Sequence, residues 1–480
     1  MSIRSWFGTP RVRRGLAASV VVLSVGGLVL FRAPGAARGG PSEHTWGAST
    51  PLPSGPNTVP FQGDGAHGSL SVSHTRVLAG GERRLFAELR LAADDASARE
   101  RAPLSMVVVL DTSGSMDGDK IAQAKDSVLR LIAEMRDDDE IALVRYSSDS
   151  ELVQPLARVG SVRAALGERI RSISASGGTN IAPALQHGLR ALAEAGKGRV
   201  RRVVLVSDGL DSTRAQSESV ARESAERGVT TSALGIGTDF DEGYMGSVAQ
   251  RGHGNFGFVR DGSALAGFLD RELKEGATTV VEGATARIAL PRGVRLVRAL
   301  GAEATQRDGG VDLRLGSLFA GDERRVVLEL ATTLEPGETA ALGGQVRWDR
   351  VGGGGSDVPL GRLEVAGTTS PAEVDASRDG AIYASVMSVV ASTRQLEATQ
   401  AYASGDVTRA QALIEQNVAD LGVAAAAAPA PARAALERQQ QEYDGARQGF
   451  ATAAPTSTEG KSRAKAAAAK DVGNLARPAF

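Results

Sequence analysis

The chain has 480 residues, of which 42% are hydrophobic, and its 55 Lys and Arg residues nearly balance 56 Asp and Glu residues, for a formal net charge of −1. This length provides for two or three folded domains. Because positive and negative residues nearly balance, the chain has no net positive field that would attract an anionic polymer or surface. We therefore expect no nucleic-acid partner. The absence of cysteine excludes disulfides, thiolate metal sites, a cysteine nucleophile and a lipid-modified N-terminal cysteine.

Residues 1–37 have the features of a signal peptide or an N-terminal membrane anchor. Several arginines precede a seventeen-residue apolar stretch from Gly15 to Phe31, and small residues follow it. Seventeen residues are near the minimum length of a membrane-spanning helix and slightly more than the usual apolar core of a signal peptide. The length therefore does not decide whether the segment is cleaved. Because arginines favour the cytoplasmic side, we expect the remainder to be extracytoplasmic, secreted or anchored, with membrane contact only through this segment.

Two different segments precede the first strongly apolar strand. Residues 38–66 are rich in Pro, Gly, Ser and Thr with little periodicity, which indicates a linker. Residues 67–103 contain two stretches of alternating apolar and polar residues, Leu70 to Leu78 and Glu82 to Leu91, separated by a glycine turn. We expect these two stretches to form a β-hairpin that joins a β-sandwich made by later strands.

Residues 104–275 alternate short apolar runs with longer runs of helical periodicity. This rhythm predicts a doubly wound α/β fold with a mostly parallel sheet. The apolar runs are Met106 to Leu110, Ile141 to Tyr146, Val203 to Val206, Thr230 to Ile236 and Gly254 to Val259, and the helical runs are Lys120 to Met135, Val162 to Ile173, Ile181 to Ala195, Gln216 to Arg227 and Leu265 to Leu273.

Acids and hydroxyls stand at three strand ends or helix starts of this region. Asp111, Ser113 and Ser115 follow the first apolar strand, Thr179 lies in a glycine loop before a helix, and Asp208 follows another apolar strand. Ligands approach an open parallel sheet at the carboxyl ends of its strands. Oxygen donors suit a hard cation such as Mg²⁺. Each piece alone is also explained by turn formation and helix capping.

The joint pattern D-x-S-x-S, then T, then D resembles the metal-ion-dependent adhesion site of the von Willebrand factor A domain family. The resemblance implies that Asp111, Ser113, Ser115, Thr179 and Asp208 hold Mg²⁺ or Mn²⁺, with the hydroxyls as direct ligands and the acids acting partly through water. It extends to the later strands and helices of residues 104–275, so it implies the α/β fold of that family. The neighbouring Asp117 and Asp211 could add negative charge or extra ligands to the site, but solvated loop acids are the favoured interpretation.

The last two regions differ in composition from the α/β region. Residues 276–368 contain short apolar runs separated by glycine and proline turns, which favours a β-sandwich. Residues 371–480 are rich in helix formers, with a break at Ser404 to Asp406. They predict a helical hairpin, Ala381 to Tyr402 and Val407 to Leu421, followed by a loosely held alanine-rich tail.

The resemblance implies an adhesion-like module in which Mg²⁺ bridges this chain to an acidic residue of a protein partner. The alternative is an accessory or sensory subunit of a larger assembly, such as an AAA+ ATPase system, in which the partner uses the ATP because this chain has no Walker motif. We expect no enzymatic activity, because the serines lie in no G-x-S-x-G elbow. The histidines are too scattered for zinc: His44, His67, His74, His187 and His253. The partner and the oligomeric state are not encoded in the motif.

Overall fold

The computed structural model describes residues 55–95, 102–196, 198–208, 211, 213–236, 242–259 and 265–476. Within these ranges, no helix is both long and apolar enough to cross a membrane. The predicted signal or anchor segment, residues 1–37, lies outside the described residues, as does the first part of the predicted linker.

The described residues form three regions: strands on both sides of an α/β unit, the α/β unit itself, and C-terminal helices. The strands are β1 (Thr58–Gly63), β2 (Ala66–Val72), β3 (Arg76–Leu78), β4 (Arg83–Ala93), β5 (Leu104–Asp111), β6 (Glu140–Tyr146), β7 (Ser150–Arg158), β8 (Val200–Ser207), β9 (Val229–Ile236), β10 (His253–Val259), β11 (Thr279–Ala289), β12 (Val294–Leu300), β13 (Glu303–Arg307), β14 (Gly310–Phe319), β15 (Glu323–Thr332), β16 (Thr339–Arg350) and β17 (Gly355–Thr368). The helices are α1 (Asp119–Glu134), α2 (Val159–Ser172), α3 (Ile181–Leu192), α4 (Arg214–Ala225), α5 (Glu242–Arg251), α6 (Leu265–Ala277), α7 (Pro371–Ala376), α8 (Gly380–Ala403), α9 (Val407–Ala427), α10 (Ala430–Thr452) and α11 (Thr458–Ala476).

The α/β unit is built on a six-stranded sheet in the order β10-β9-β8-β5-β6-β7. All neighbouring pairs are parallel except β6 with β7. Every residue of the central strand β5 is buried, because helices cover both faces of the sheet. The predicted doubly wound fold is therefore confirmed. The antiparallel edge strand β7 was not predicted, since its residues are only partly buried and lack a continuous apolar run.

The helices divide between the two faces of this sheet. Apolar side chains of α1, α2 and α6, such as Val128, Ile170 and Phe268, pack in one core, and those of α3, α4 and α5 pack in the other. Helix α3 lies close to β5 at Gly188, where a Cβ atom would stand 2.8 Å from Cγ2 of Val109. The close packing of α3 fixes the position of the loop that precedes it.

Strands from before and after the α/β unit form a single β-sandwich. One sheet has the order β1-β2-β4-β15-β12 and the other has the order β13-β14-β11-β16-β17-β3. Strand β4 pairs along its whole length with β15, which follows the α/β unit in sequence. Leu70 and Leu328 of the first sheet and Ile288 and Val346 of the second belong to one buried core. The α/β unit is thus inserted between two strands of the sandwich, with both of its ends held there.

Two expectations for the residues before the α/β unit are wrong. The predicted linker contains β1, which pairs with β2. The predicted first hairpin strand, Leu70 to Leu78, is broken after Val72: β2 stays in the first sheet, whereas β3 crosses to the second sheet and pairs with β17. The break falls at polar residues, where the Ser73 hydroxyl accepts the amide of Phe86 at 3.2 Å.

The C-terminal region is a packed helical bundle rather than a hairpin with a loosely held tail. Helices α8, α9, α10 and α11 share a buried core that includes Ala464 of α11. The alanine-rich sequence suggested a loose tail, but its small side chains let α11 pack closely on α8. Helix α8 also covers the outer face of the first sandwich sheet, where Val386 and Val390 pack with Phe86 and Val327.

One carboxyl group of this bundle is buried and accepts a hydrogen bond from a tyrosine. Asp471 of α11 is 4% exposed, and its Oδ1 accepts the Tyr443 hydroxyl at 2.6 Å. Burial is the largest influence on this group and raises the pKa of Asp471 to about 7. The folded protein therefore holds a proton on Asp471 that the unfolded chain releases at lower pH.

This raised pKa predicts a pH-dependent stability. Between the unfolded pKa of about 4 and the folded pKa of about 7, the folded state binds more protons, so the free energy of unfolding falls as the pH rises. Urea unfolding is measured at about pH 5 and about pH 8. Over this rise in pH, the free energy of unfolding of the wild type should fall by about 2–3 kcal/mol more than that of Asp471→Asn. Burial lowers the pKa values of His74 and His253 to about 4, so these histidines make the free energy of unfolding rise with pH. Both proteins contain them, and the comparison therefore cancels their contribution. The surface variant Asp444→Asn is the control, and equal pH dependence of Asp471→Asn and wild type would contradict the assignment.

Candidate metal centre at the carboxyl edge of the sheet

The pairing of β5 with β8 brings the two predicted acids to adjacent strand ends, one residue apart in register. Leu110 of β5 is in register with Val206 of β8, so Asp111 and Asp208 leave the sheet at adjacent strand ends. The Ser207 hydroxyl donates to Oδ2 of Asp111 at 2.7 Å. Both acids are completely buried. The parallel register therefore places Ser207 level with Asp111, and Asp208 follows one residue later, at the start of the third loop.

The first loop is fixed by hydrogen bonds of the side chains of Asp111 and Thr112, which point into the protein. The Ser113 amide donates to Oδ1 of Asp111 at 2.8 Å, and the Thr112 hydroxyl donates to the Tyr146 carbonyl of β6 at 2.9 Å. Oγ of Ser113 lies 3.0 Å from Oγ of Ser115. Ser113 is buried whereas Ser115 is exposed. The loop thus places the exposed Ser115 beside the buried Ser113, next to a buried carboxylate.

The second loop, residues 174–180, is hydrogen-bonded to the first. The Gly114 amide donates to the Gly177 carbonyl at 2.9 Å, and the Ser176 amide donates to the Thr112 carbonyl at 2.7 Å. Gly177 has a φ of +83°, a conformation that costs other residues energy. Thr179 follows in the same loop and is half-buried. These bonds attach the Thr179 loop to the Asp111 loop.

The third loop closes the site through Asp208. Its Oδ1 accepts the Ser115 hydroxyl at 2.8 Å, and its Oδ2 lies 2.5 Å from the ammonium of Lys120. The same ammonium donates to the Ser115 carbonyl at 3.1 Å. Sequence reasoning did not identify Lys120, because one lysine in the first turn of a helix carries no motif of its own.

The charges of the site favour a bound cation. Burial raises the pKa of Asp111, hydrogen bonds from Ser113 and Ser207 oppose this rise, and the nearby charge of Asp208 adds to it. A cation close by would offset the cost of two buried carboxylates. The gathered donors are all hydroxyl or carboxylate oxygens, the ligand type that Mg²⁺ takes. The residues therefore fit the predicted group.

The structure gives each remaining predicted residue a definite place. Asp211 is not a solvated loop acid: its Oδ2 accepts the Ile181 amide at the start of α3 at 2.8 Å, and its Oδ1 accepts the Thr213 amide at 3.0 Å. Asp117 is exposed. His187 Nδ1 lies 3.2 Å from the Ser150 hydroxyl. In the described ranges no three His, Cys, Asp or Glu side chains form a metal-binding group, so a cation here depends on hydroxyls. The ligand roles of the five predicted residues stay a prediction.

Comparison with known proteins supports the fold of the α/β unit. Residues 105–271 match the family model of the von Willebrand factor type A domain. The chain contains a von Willebrand factor type A domain. Domains of this family generally serve in protein interactions and often bind a divalent metal. The match covers the six-stranded sheet and its helices, and the sandwich and the bundle lie outside it.

Individual relatives support the same assignment. Over 234 residues the chain is 30% identical to the uncharacterized protein YfbK of Escherichia coli K12, in a match that covers 47% of this chain and 40% of YfbK. It thus spans less than half of that relative. A solved von Willebrand factor type A structure from Catenulispora acidiphila has a TM-score of 0.63 at 19% identity, covering 82% of this chain and 89% of that one. The ArnB paralog VWA2 of Sulfolobus acidocaldarius has a TM-score of 0.57 at 15% identity, covering 86% and 98%. At these identities the two structures show the fold alone.

Gly177 offers a test of how the second loop of the A domain supports the site. In Gly177→Ala the new Cβ atom would stand 3.2 Å from the hydroxyl oxygens of Ser147 and Ser148, so we expect the Thr179 loop to shift. A displacement that costs about 1 kcal/mol of binding lowers Mn²⁺ affinity about fivefold, as measured by calorimetric titration of the full chain.

The matched control is Gly198→Ala. Gly198 has a similar φ of +75° but no atom within 4 Å of the added Cβ, so this variant should lose comparable folding stability, about 1–2 kcal/mol, and keep its Mn²⁺ affinity. Equal Mn²⁺ affinities in both variants would mean that the second loop does not support a cation.

Proposed function

We propose that this chain is a metal-dependent, adhesion-like protein-binding module on the extracytoplasmic side of the membrane. The observation that carries the proposal is the hydrogen-bonded cluster of Ser113, Ser115 and Asp208 at the carboxyl edge of the A-domain sheet. Ser115 is exposed at this edge, so a partner can reach the cluster without any opening of the fold.

In this proposal some residues bind the cation directly and others hold those ligands in position. The hydroxyls of Ser113, Ser115 and Thr179 are the proposed direct ligands. Asp111 and Asp208 support them, because each acid has both carboxylate oxygens engaged by groups of the protein. Mg²⁺ or Mn²⁺ bound there would supply a coordination position that an acidic residue of the partner fills.

The rim of the site makes this proposed binding depend on the cation. Asp117 and Asp119 closely follow the loop of Ser113 and Ser115, Asp149 follows β6, the strand beside β5, and all three acids are exposed. Like charges repel, so the rim alone disfavours an acidic partner residue. Affinity for a carboxylate then requires a cation in the centre, while the surrounding loops discriminate between partners.

The proposal includes no catalytic step by this chain. Ser113 and Ser115 contact each other, and Ser115 donates to Asp208. A nucleophilic serine needs a base in hydrogen-bond reach that accepts its proton. Asp208 accepts the Ser115 hydroxyl with Oδ1 and contacts the Lys120 ammonium with Oδ2, so both of its oxygens are already engaged. Binding, rather than turnover, is the activity that this arrangement serves best.

Binding to a carboxylate is tested with Mn²⁺ and two short peptides. Mn²⁺ bound by the full-length protein should speed water proton relaxation, and a peptide with one glutamate should reduce that effect by displacing coordinated water. The same peptide with glutamine in place of glutamate should not. In Asp111→Ala we expect Mn²⁺ affinity to fall about 10- to 100-fold, with the fold retained by circular dichroism.

Asp126→Ala is the matched control, since Asp126 is an exposed acid on α1 of the same domain. It should bind Mn²⁺ as the wild type does. Saturable Mn²⁺ binding with identical effects of the two peptides would refute carboxylate recognition. Unfolding of Asp111→Ala would leave Ser113→Ala as the variant that decides.

The extracytoplasmic location rests on the arginines and the apolar stretch of residues 1–37. Cell fractionation of the full chain should place it in the membrane or outside it, and deletion of residues 1–37 should retain it in the cytoplasm. Substitution of Asp117 by Ala, far from this segment in sequence, should leave the distribution unchanged. An identical distribution with and without residues 1–37 would contradict export.

A further inference from the structure

Lys120 contacts two groups of the candidate metal centre at once. Its ammonium lies 2.5 Å from Oδ2 of Asp208 and 3.1 Å from the Ser115 carbonyl oxygen. Asp208 is fully buried, and its Oδ1 accepts the Ser115 hydroxyl. The ammonium therefore takes the one oxygen of Asp208 that the serine leaves open.

The position of Lys120 in its helix does not account for these contacts. Lys120 is the second residue of α1, and a positive charge in the first turn of a helix is opposed by the helix dipole. Gly118 precedes the helix and offers no side-chain cap. The contacts with Asp208 and Ser115 are what hold the lysine there, so its function belongs to the site and not to α1.

The lysine also has a route out of the site. Its side chain is 30% exposed, whereas that of Asp208 is 0% exposed. A lysine has a flexible four-carbon stem and a compact ammonium that water solvates strongly. Its ammonium can therefore leave for solvent while the buried carboxylate stays in place.

We infer that Lys120 is an internal competitor for the cation of this site. The inference rests on the proposed function for the identity of the cation. A divalent cation beside the Ser115 hydroxyl and an ammonium on Oδ2 of Asp208 would both lie next to the same carboxylate. The two positive charges would therefore be close together and repel each other. Cation binding then requires Lys120 to move into solvent, so the lysine sets the concentration at which the site is filled.

The formal charges give the direction of this effect. Asp111 and Asp208 contribute −1 each and Lys120 contributes +1, which leaves a site of −1 for the incoming cation. If the lysine is in place in about nine of ten molecules, the apparent affinity falls about tenfold from that of the open site. The same contact stabilises the two adjacent buried acids when little cation is present.

The test is calorimetric titration of Mg²⁺ and Mn²⁺ into the full-length wild type and Lys120→Met. Methionine matches the lysine stem in length and removes the ammonium. We expect Lys120→Met to bind Mg²⁺ about tenfold more tightly or better. Thermal unfolding supplies a second readout: without divalent cation, Lys120→Met should melt below wild type, and saturating Mg²⁺ should raise its melting temperature by more than that of wild type.

Lys125→Met is the matched control. Lys125 lies on the same helix, but its ammonium donates to the carbonyls of Arg171 and Ile173, at 2.7 Å and 2.9 Å. This variant removes an equal charge from α1 without touching Asp208, so its Mg²⁺ affinity should stay within about twofold of wild type at physiological salt. A gain in Lys120→Met alone separates direct competition from a general effect of charge.

Each outcome bears separately on this inference and on the proposed function. Equal or weaker Mg²⁺ binding in Lys120→Met overturns competition, including the case in which neither protein binds Mg²⁺. Binding in Lys120→Met but none in wild type supports competition and refutes cation-dependent binding by the wild-type chain. Tighter binding in Lys120→Met with unchanged peptide effects supports competition while carboxylate recognition fails.

Discussion

The candidate metal centre depends on the parallel register between β5 and β8. Parallel strands end at the same edge of a sheet, so one register fixes which loop residues meet there. Here Leu110 is level with Val206, so Asp111 at the end of β5 is level with Ser207, and Asp208 follows directly at the end of the neighbouring strand. A shift of one residue would turn either side chain to the other face of the sheet. Both strands are deeply buried on each face, and this burial is what keeps the register in place.

The rest of the molecule holds this α/β unit at its opposite end. Strands β4 and β11 of the sandwich flank the unit in sequence, and β4 pairs with β15 beyond it. Helix α11 lies at the same junction, where a Cβ atom added to Gly246 of α5 would be 3.9 Å from Val472. Strand β5 begins at this junction and runs about 25 Å toward the site. The base of the unit is therefore supported by the sandwich and the bundle.

The sequence predicted the α/β unit well because its signals are local and strong. Continuous apolar runs such as Val107 to Leu110 are typical of strands covered on both faces, and D-x-S-x-S marks the end of one of them. The signals that were missed depend on tertiary contacts. Strand β7 is only half-buried, and β3 leaves its hairpin to pair with β17. The alanines of α11 look like a loose tail until the surface of α8 is known.

The same distinction applies within the site. Asp111 ends β5, Asp208 follows β8 directly, and Ser113 and Ser115 lie in the loop after β5. The two strand ends therefore bring these residues near one another, and the structure joins them in one hydrogen-bonded cluster. Lys120 reaches that cluster from a helix that starts after the motif, and no spacing rule relates it to Asp208, 88 residues away.

The contact of Lys120 with Asp208 has a physical reason that the motif does not contain. Two buried carboxylates at neighbouring strand ends repel each other and lose hydration. Hydrogen bonds from Ser113, Ser115 and Ser207 satisfy their oxygens without supplying positive charge. A fold that places acids so closely must provide a counter-charge, from the protein or from bound cation. Lys120 provides it from a side chain that can still move away. A site built for reversible loading needs such a counter-charge, because one fixed in place would exclude the cation.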